Sequence, residues 1–513
     1  MYHTFSRAVA VFLFSSTFLA SDVRAQFAGS IEPPSEFKTG YDAITDERAQ
    51  EWLSILAGPG FEGRGSGQIG YTKAAHWVAG KNAEFGLEPM GDGGTYFQML
   101  PMSRLFVEPT QSKLTGPNDL SIVFEKAIGL ERFTNVPEVT GGVAFVSLAG
   151  DAPKLDDTVS LRDKVVFYTA DEKAQGRAQM LLARQRPLAT FRIVDAEPKS
   201  GSQLQREGGR QRAASLSGTI STVAAATIVK SLRGDLSWIQ QVNSEGVNNE
   251  NVNSERAEVH FPEGEVKLEL RYREEPAAVP NVLAWQPGSD PDLRKEYIVI
   301  GAHLDHLGLQ NGTLFPGADD NGSGSTALLS IARAISTNPI KPKRSILFMW
   351  FAGEEIGLVG SAYYVDHPLL PLDKMVCMLN VDMVGRNEEK DGETAIENET
   401  SIHLVGSKKG NPDLHDVIIK ANQYVNFAFE YDEEGVFGRS DQFNFFKTGI
   451  SVAFLFGGFH PDYHRPSDQV SKINFHKIAS AAKLFYLTAH FASDHGAFKN
   501  PPKEEKKDGN VTP

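Results

Sequence analysis

Histidines and carboxylates follow several hydrophobic segments in the second half of the chain. Each lies at or just beyond the end of an apolar run typical of a buried strand. They are His303, Asp305, Asp319, Asp320, Glu354, Glu355, Asp382, His460 and His464. Ligands bind at the carboxyl ends of strands in α/β sheets, so a parallel sheet would gather these groups on one edge. Imidazole and carboxylate groups without thiolates suit zinc, with cobalt or manganese as possible substitutes. One histidine with several carboxylates could form one site, and the full set is enough for two ions that share a bridge.

Spacing leaves some choices between neighbouring residues open. Asp319 and Asp320 are adjacent in GADDNGSG, and spacing alone does not separate them. His460 and His464 have the i, i+4 spacing of helical zinc sites. Pro461 and the missing glutamate make that helical pattern a poor match. Two adjacent carboxylates such as Glu354 and Glu355 can diverge on an irregular turn and take different roles.

Strand-like and helix-like segments alternate from Asn281 onward. The strand-like runs include YIVIGAH, SILFMWF, VCMLNVDM and ISVAFLF, and the helix-like runs include NGSGSTALLSIARAIS and HKIASAAKLFYLTAHFA. Such alternation is typical of an α/β sheet covered by helices. We therefore predict a mixed, mostly parallel sheet flanked by helices.

Residues 107–276 differ from the segments on either side. They contain short β-like runs such as VVFY and VKLEL, a polar patch NSEGVNNENVNSERAE, and no dense cluster of acids and histidines. We predict an inserted β-rich domain at 107–276, between the two parts of an enzyme core at 26–106 and 277–495. One oversized domain is the alternative. The charged, proline-bearing segment 496–513 is predicted to be disordered.

Composition and charge exclude several classes of protein. The chain has 513 residues, which is enough for two domains. Its 51 basic and 65 acidic residues give a net charge of -14, which argues against a nucleic-acid partner. The single Cys377 excludes an intrachain disulfide, and its apolar setting predicts a packing role.

The N-terminus has the layout of a cleaved secretory signal. Arg7 precedes the apolar run AVAVFLFSSTFLA, and small residues follow at Val23 and Ala25. This pattern predicts a signal peptide at 1–25, with a short hydrophobic core helix as the alternative. We expect a periplasmic or secreted protein with no stable membrane anchor after cleavage.

Five ordered motifs resemble those of peptidase family M28, whose members are di-zinc metallopeptidases and include secreted bacterial aminopeptidases. The motifs are HLD, GADDNGSG, FAGEEIGLVGS, NVDMVG and YHRPSD, and the earlier segments EGRGSG and GLEP are also similar to bacterial members. The resemblance implies the zinc exopeptidase fold. It also implies that the inserted region corresponds to a protease-associated domain, although that match is much weaker.

Carried over motif by motif, the resemblance implies two zinc ions per chain. The implied ligands are His303 and Asp382 for one ion, Glu355 and His464 for the other, and Asp320 as the bridge. The family pattern thus selects Asp320 over Asp319 and His464 over His460. His306 is left as a residue that does not bind metal.

The resemblance also implies roles for residues beside the ligands. Glu354 would be the general base that takes a proton from the metal-activated water and passes it to the leaving amine. Tyr463 would donate a hydrogen bond to the tetrahedral oxyanion. Asp305 would orient His303 through the second ring nitrogen.

The implied function is an exported zinc exopeptidase that removes N-terminal residues from peptides. A carboxypeptidase would need a positioned arginine, and Arg386, Arg439 and Arg465 flank the motifs, so that alternative stays open. A glutaminyl cyclase of the same fold uses a single zinc. The presence of both histidines and all three carboxylate ligands favours two metals and hydrolysis. It also argues against a non-catalytic binding module, because no ligand position is missing.

Overall fold

The computed structural model describes residues 27–150, 152–171, 174–206, 215–233, 257–310, 312–390, 392–432, 434–496 and 498. The predicted signal peptide at 1–25 lies outside these residues, and so does the predicted tail apart from Gly496 and Phe498. Within the described ranges, no helix has the length and apolar character needed to cross a membrane.

The chain divides into two compact units. The first consists of Met1–Gly65, Lys73–Gln98 and Asn281–Pro513, and the second of Ser66–Thr72 and Met99–Pro280.

The strands outside the second unit's sheets are numbered here in chain order. They are β1 (Glu88–Pro89), β2 (Phe97–Met99), β3 (Pro280–Gln286), β4 (Tyr297–His303), β5 (Gly308–Gln310), β6 (Thr313–Phe315), β7 (Ser345–Phe351), β8 (Met375–Asp382), β9 (Ser401–Val405), β10 (Ala428–Glu430) and β11 (Ser451–Phe456). The helices are α1 (Lys38–Asp42), α2 (Asp46–Leu56), α3 (Ile69–Glu84), α4 (Gly324–Thr337), α5 (Val359–Asp366), α6 (Ser407–Gly410), α7 (Pro412–Asn422), α8 (Gln442–Lys447) and α9 (Phe475–Asp494).

The first unit is built on one mixed sheet in the order β1-β3-β7-β4-β8-β11-β9-β10, with β2 also paired to β3. The central strands β7, β4, β8 and β11 run parallel to one another. Antiparallel pairs lie toward the edges, where β3 meets β7 and β9 meets β11. The predicted α/β architecture with a mostly parallel sheet is therefore confirmed.

Burial explains why the central strands have almost no polar residues. Every residue of β7, SILFMWF, is buried, as strands pair along both of its edges. Helix α4 packs against β4 and β8, and α9 packs against α4. A strand covered in this way reads as a continuous apolar run, which is the signal seen in the sequence.

The second unit is rich in strands. One of its sheets joins Met102–Val107, Ser202–Arg206 and Tyr272–Ala277. The other contains Lys113–Gly116, Leu120–Val123, Ile128–Arg132, Glu138–Leu148, Lys164–Ala170, Ala189–Val194, Leu216–Ser221, Glu258–His260 and Glu265–Glu269. Two helices accompany these sheets, Gln175–Arg184 and Thr222–Ser231. Its identity as a protease-associated domain stays a prediction.

Candidate active site

Parallel strands bring the predicted site residues to one edge of the first unit's sheet. His303 is the last residue of β4, and Asp382 is the last residue of β8. Glu354 and Glu355 follow β7 in a turn. Asp320 lies in the irregular turn Ala318–Ser323 that leads into α4, and His464 follows β11. The arrangement follows from the parallel order of these strands.

The first group of potential ligands surrounds the Nε2 atom of His303. This atom lies 3.1 Å from Asp382 Oδ1 and 3.4 Å from Asp320 Oδ1. One ligand atom from each of these three residues lies within 4.8 Å of the others. All three side chains are buried.

The second group lies on the other side of the Asp320 carboxylate. His464 Nε2 is 3.0 Å from Asp320 Oδ2 and 3.1 Å from Glu355 Oε2. The two oxygens of Asp320 thus face two different histidines. This is the position that a bridging carboxylate between two cations would have.

His306, which is predicted from the sequence not to bind metal, also lies in the second group. Its Nδ1 is 2.7 Å from Glu355 Oε1 and 3.7 Å from Asp320 Oδ2. Its Nε2 is buried and has no hydrogen-bond partner in the described part of the chain. His306 follows His303 by three residues, and the short segment between them returns its imidazole to the same edge. That close spacing was the available signal in the sequence.

Asp305 supports two neighbours at once. The Nδ1 atom of His303 is 3.0 Å from the backbone carbonyl oxygen of Asp305, to which it donates when protonated. That tautomer leaves the lone pair of Nε2 facing the first group. The carboxylate of Asp305 accepts the backbone N–H of Glu354 at 3.1 Å. Asp305 therefore orients His303 through its backbone and fixes the Glu354 turn through its side chain.

Asp319 and His460 point away from both groups. His460 Nε2 lies 3.2 Å from Asp319 Oδ2, and both side chains are fully buried. The carboxylate of Asp468 accepts the backbone N–H groups of Asp319 and Asp320. The hydrogen bonds to Asp468 fix the backbone of the Asp320 turn. The Asp320 carboxylate makes none of these bonds and faces the two groups.

A cavity opens beside the first group. Its lining comprises His303, Asp320, Glu354, Asp382, Met383, Val436, Arg439, Ser440, Phe454, Phe456, Phe459 and Tyr463. The ring of Tyr463 stacks on His464 with centroids 3.9 Å apart. The side chains that line this cavity thus combine carboxylates, apolar groups and one guanidinium.

Residues 281–489 match the family model described as peptidase family M28. This part of the chain, here called the M28 segment, is similar to family M28. The M28 segment contains all of the ligands predicted from the sequence.

Curated relatives match over part of their length. The chain is 33% identical to leupeptin-inactivating enzyme 1 of Streptomyces exfoliatus over 37% of this chain and 38% of the relative. It is 30% identical to leucine aminopeptidase 2 of Arthroderma otae over 44% of this chain and 48% of the relative. The chain spans less than half the length of these relatives.

Two solved structures share the fold along most of the chain. An aminopeptidase from Aneurinibacillus sp. strain AM-1 has a TM-score of 0.51 at 18% identity, covering 91% of this chain and 97% of its own. A zinc aminopeptidase from Bacillus subtilis has a TM-score of 0.51 at 17% identity, covering 90% of this chain and 99% of its own. At these identities the likeness shows the fold alone.

The M28 segment relies on a buried arginine that sequence reasoning did not single out. Arg64 is fully buried and donates hydrogen bonds to the backbone carbonyl oxygens of Leu56, Leu304, Pro316 and Gly317. Burial lowers its pKa to about 10, and the nearby Asp468 opposes that shift. Arg64 therefore ties the Asp320 turn to the end of β4. The only feature of the sequence that pointed to Arg64 was its place in the EGRGSG segment.

Ser440 and Asp441 form a second support that the sequence did not reveal. The Ser440 hydroxyl donates to Asp382 Oδ2 at 2.7 Å. Asp441 is fully buried, and burial raises its pKa to about 7. Both residues precede α8 and follow no hydrophobic strand, so the strand-end pattern could not identify them.

The electrostatics of the site are dominated by closely spaced carboxylates. Burial raises the pKa of Glu354 well above its ordinary value. Burial lowers the pKa of His464, but hydrogen bonds with Asp320 and Glu355 outweigh it and raise the value to about 10. Within the described residues, no lysine or arginine forms an ion pair with Asp320, Glu354, Glu355 or Asp382. Such a group of buried anions is suited to divalent cations.

Proposed function

We propose that this chain is an exported aminopeptidase that uses two zinc ions to remove N-terminal residues from peptides. The observation that carries the proposal is the position of Asp320, whose two oxygens face separate histidine–carboxylate groups. The donors are imidazoles and carboxylates, and this donor set fits zinc. The similarity to family M28 and the zinc aminopeptidase named among the similar structures support the choice of metal and reaction class.

Each ion would be held by one of the two groups. His303, Asp382 and Asp320 would hold the first, and His464, Glu355 and Asp320 the second. His306 lies close enough to Glu355 to orient that carboxylate. When bound, zinc would supply Lewis-acid polarisation of the scissile carbonyl and would lower the pKa of water.

Glu354 is the residue proposed to move the proton. Its Oε2 lies 4.0 Å from His303 Nε2, so it borders the first group without joining its closer contacts. Its backbone is fixed by Asp305, and burial raises its pKa. A carboxylate with a raised pKa can accept a proton from attacking water and return it to the leaving amine.

Tyr463 is proposed to stabilise the oxyanion. Tyr463 lines the cavity, and its ring is fixed by stacking on His464. Burial raises the pKa of the phenol, so the group stays protonated and able to donate a hydrogen bond near neutral pH.

The lining of the cavity supports cleavage from the N-terminus. Carboxylates of Glu354 and Asp382 that are not fully neutralised would hold the substrate's α-ammonium. Apolar side chains from Met383, Phe454 and Phe456 would receive the side chain of the N-terminal residue. A peptide with a bulky apolar N-terminal residue fits these two requirements. The leucine aminopeptidase named among the relatives supports the same substrate class.

One peptide in three forms tests the direction of cleavage. A free, an N-acetylated and a C-amidated peptide are incubated with the zinc-loaded protein, and the products are followed by mass. We expect single residues to leave the free and amidated forms while the acetylated form is spared. Cleavage of the acetylated peptide from its carboxyl end would favour a carboxypeptidase, for which Arg439 in the cavity is the supporting observation. Conversion of an N-terminal glutamine without chain cleavage would favour a glutaminyl cyclase.

Export is proposed from residues 1–25 of the sequence, which lie outside the described structure. N-terminal sequencing of the mature protein tests it. We expect the mature chain to begin at Gln26 and to be found in the periplasm or the medium. A mature protein that retains Met1 in the cytoplasm would contradict export.

A further inference from the structure

The three arginines that flank the site motifs have different surroundings. Arg386 Nη1 lies 3.0 Å from Asp462 Oδ2, so its charge is already paired. Arg465 is exposed and does not line the cavity. Arg439 does line the cavity, and no carboxylate of a described residue lies within ion-pair distance of its guanidinium. Arg439 therefore brings an unpaired positive charge to the cavity.

Aromatic side chains hold Arg439 in place. Its Nη2 donates to the hydroxyl of Tyr463 at 3.3 Å, and its Cζ lies 5.1 Å from the ring centroid of Phe459. Tyr463 in turn stacks on His464. One side chain thus separates the guanidinium from a proposed metal ligand. Stacked arginine keeps its planar donors pre-organised, so a partner loses less entropy on binding.

The cavity has charged groups of both signs. Asp320, Glu354 and Asp382 supply the acidic part of its lining, and Arg439 supplies the basic part. Val436 and Phe459 are among the apolar residues in the same lining. A substrate that carries an ammonium and a carboxylate on successive residues matches this distribution. Two extended residues span at most about 7 Å.

We infer that Arg439 determines specificity by binding a carboxylate on the leaving side of the scissile bond. This inference rests on the proposed aminopeptidase function, in which the α-ammonium is held by the acidic part of the lining. A planar guanidinium binds a carboxylate through two parallel hydrogen bonds, which lysine cannot reproduce. The carboxylate has two sources, the α-carboxylate of a dipeptide or an acidic side chain at the second position of a longer peptide.

Four substrates test the inference and separate the two sources. They are Leu-Ala, Leu-Ala amide, Leu-Glu amide and Leu-Gln amide, each measured as kcat/KM with the zinc-loaded protein. We expect a wild-type preference of about tenfold, or ~1.4 kcal/mol, for the substrate with the carboxylate. A preference within the first pair identifies the dipeptide carboxylate, and one within the second pair identifies the acidic side chain. Ratios near one in both pairs would overturn the inference.

Substitutions then assign the preference to Arg439. Arg439→Met should abolish the preference, because it removes the guanidinium that binds the carboxylate. The guanidinium also contacts the Tyr463 hydroxyl, so kcat/KM can fall for all four substrates, and the test is the ratio within each pair. Arg439→Lys should keep only part of the preference for the substrate with the carboxylate, because lysine cannot form the two parallel hydrogen bonds. Arg465→Met removes a neighbouring charge outside the cavity lining and should leave both ratios unchanged. If Arg439→Met lowered kcat/KM by the same factor for all four substrates, both ratios would stay at their wild-type values. That result would reveal an effect through Tyr463 and would contradict the inference.

The wild-type protein alone distinguishes this inference from the function on which it rests. Hydrolysis of all four substrates without a carboxylate preference would keep the aminopeptidase proposal and overturn the role of Arg439. Failure to hydrolyse any of them would overturn both. These outcomes hold even if Arg439→Met does not fold, which circular dichroism would show.

Discussion

Two clusters of histidine and carboxylate among the described residues of the first unit differ in their source of positive charge. The first is the candidate active site at the end of the parallel strands. The second, here called the lysine cluster, consists of Glu388, Lys390, His403, Glu430 and Asp432. Its Lys390 Nζ lies 3.0 Å from Glu388, 2.9 Å from Glu430 and 3.0 Å from Asp432. In the lysine cluster the chain provides its own cation.

The pKa shifts follow this difference. Burial lowers the pKa of Lys390, but hydrogen bonds to Glu430, Glu388 and Asp432 outweigh it and raise the value, so the ammonium stays charged. In the candidate active site, the partners within ion-pair distance of Asp320, Glu354, Glu355 and Asp382 are histidines among the described residues. Closely spaced acids beside a histidine therefore do not by themselves indicate a metal centre. The missing lysine distinguishes the site that suits an external cation.

The largest expected effect separates Glu354 from Glu355. Glu354→Gln should retain both zinc ions and lower kcat by about a thousandfold, because it removes the proposed general base. Glu355→Ala should lose zinc, because it removes a proposed ligand of the second ion. Elemental analysis and steady-state kinetics on the same samples measure both effects. Equal zinc loss in the two variants would contradict the division of roles.

Metal removal should destabilise the protein through the candidate active site alone. Binding at a hundred times the dissociation constant stabilises a folded protein by about 2.7 kcal/mol, so chelation should lower Tm measurably. Glu354→Gln should show the wild-type shift, and Glu355→Ala should show a smaller one. Calorimetry with and without chelator provides the measurement. An unchanged wild-type Tm would argue against bound metal in the folded protein.

Lys390→Met should remove the ammonium group that lies between the carboxylates of the lysine cluster. We expect the free energy of unfolding to fall by about 1–3 kcal/mol, since partly buried carboxylates lose their partner. Lys38→Met, which breaks the exposed pair with Asp42, is the matched control and should cost at most about 0.5 kcal/mol. Urea unfolding measures both.

The same variant tests whether the absence of lysine creates a cation site. Added Zn²⁺ or Mn²⁺ should raise the Tm of Lys390→Met beyond the effect in wild type. Adding His403→Ala should remove that extra rise, because His403 Nε2 lies 3.0 Å from Glu388 Oε2 and would supply a ligand. An identical metal response in wild type and Lys390→Met would contradict the comparison.

Residues at or just after strand ends were predictable, and residues that reach the site from segments without a strand signal were not. His303 and Asp382 terminate apolar runs, so their place on the sheet edge follows from local sequence and the parallel order of strands. Asp468 and Ser440 reach the site from segments with no strand signal, and only the tertiary fold brings them there. The lysine cluster escaped prediction for the same reason, since Glu388 and Lys390 lie in a loop between β8 and β9.

The smallest expected effect is a difference in the pH dependence of stability between the wild type and Lys390→Met. Burial raises the pKa values of Glu430 and Asp432, but hydrogen bonds from Lys390 outweigh this effect. The pKa of Glu430 therefore lies below its ordinary value of 4.5, and that of Asp432 lies below its ordinary value of 3.8. A carboxyl group with a depressed pKa in the folded state stabilises the protein above its unfolded pKa, and that contribution is lost as pH falls through the folded value. Between pH 6 and pH 3 the wild type should therefore lose more stability than Lys390→Met. The comparison uses urea unfolding at both pH values with Lys38→Met as the control, and parallel losses in all three proteins would show that Lys390 does not set these pKa values.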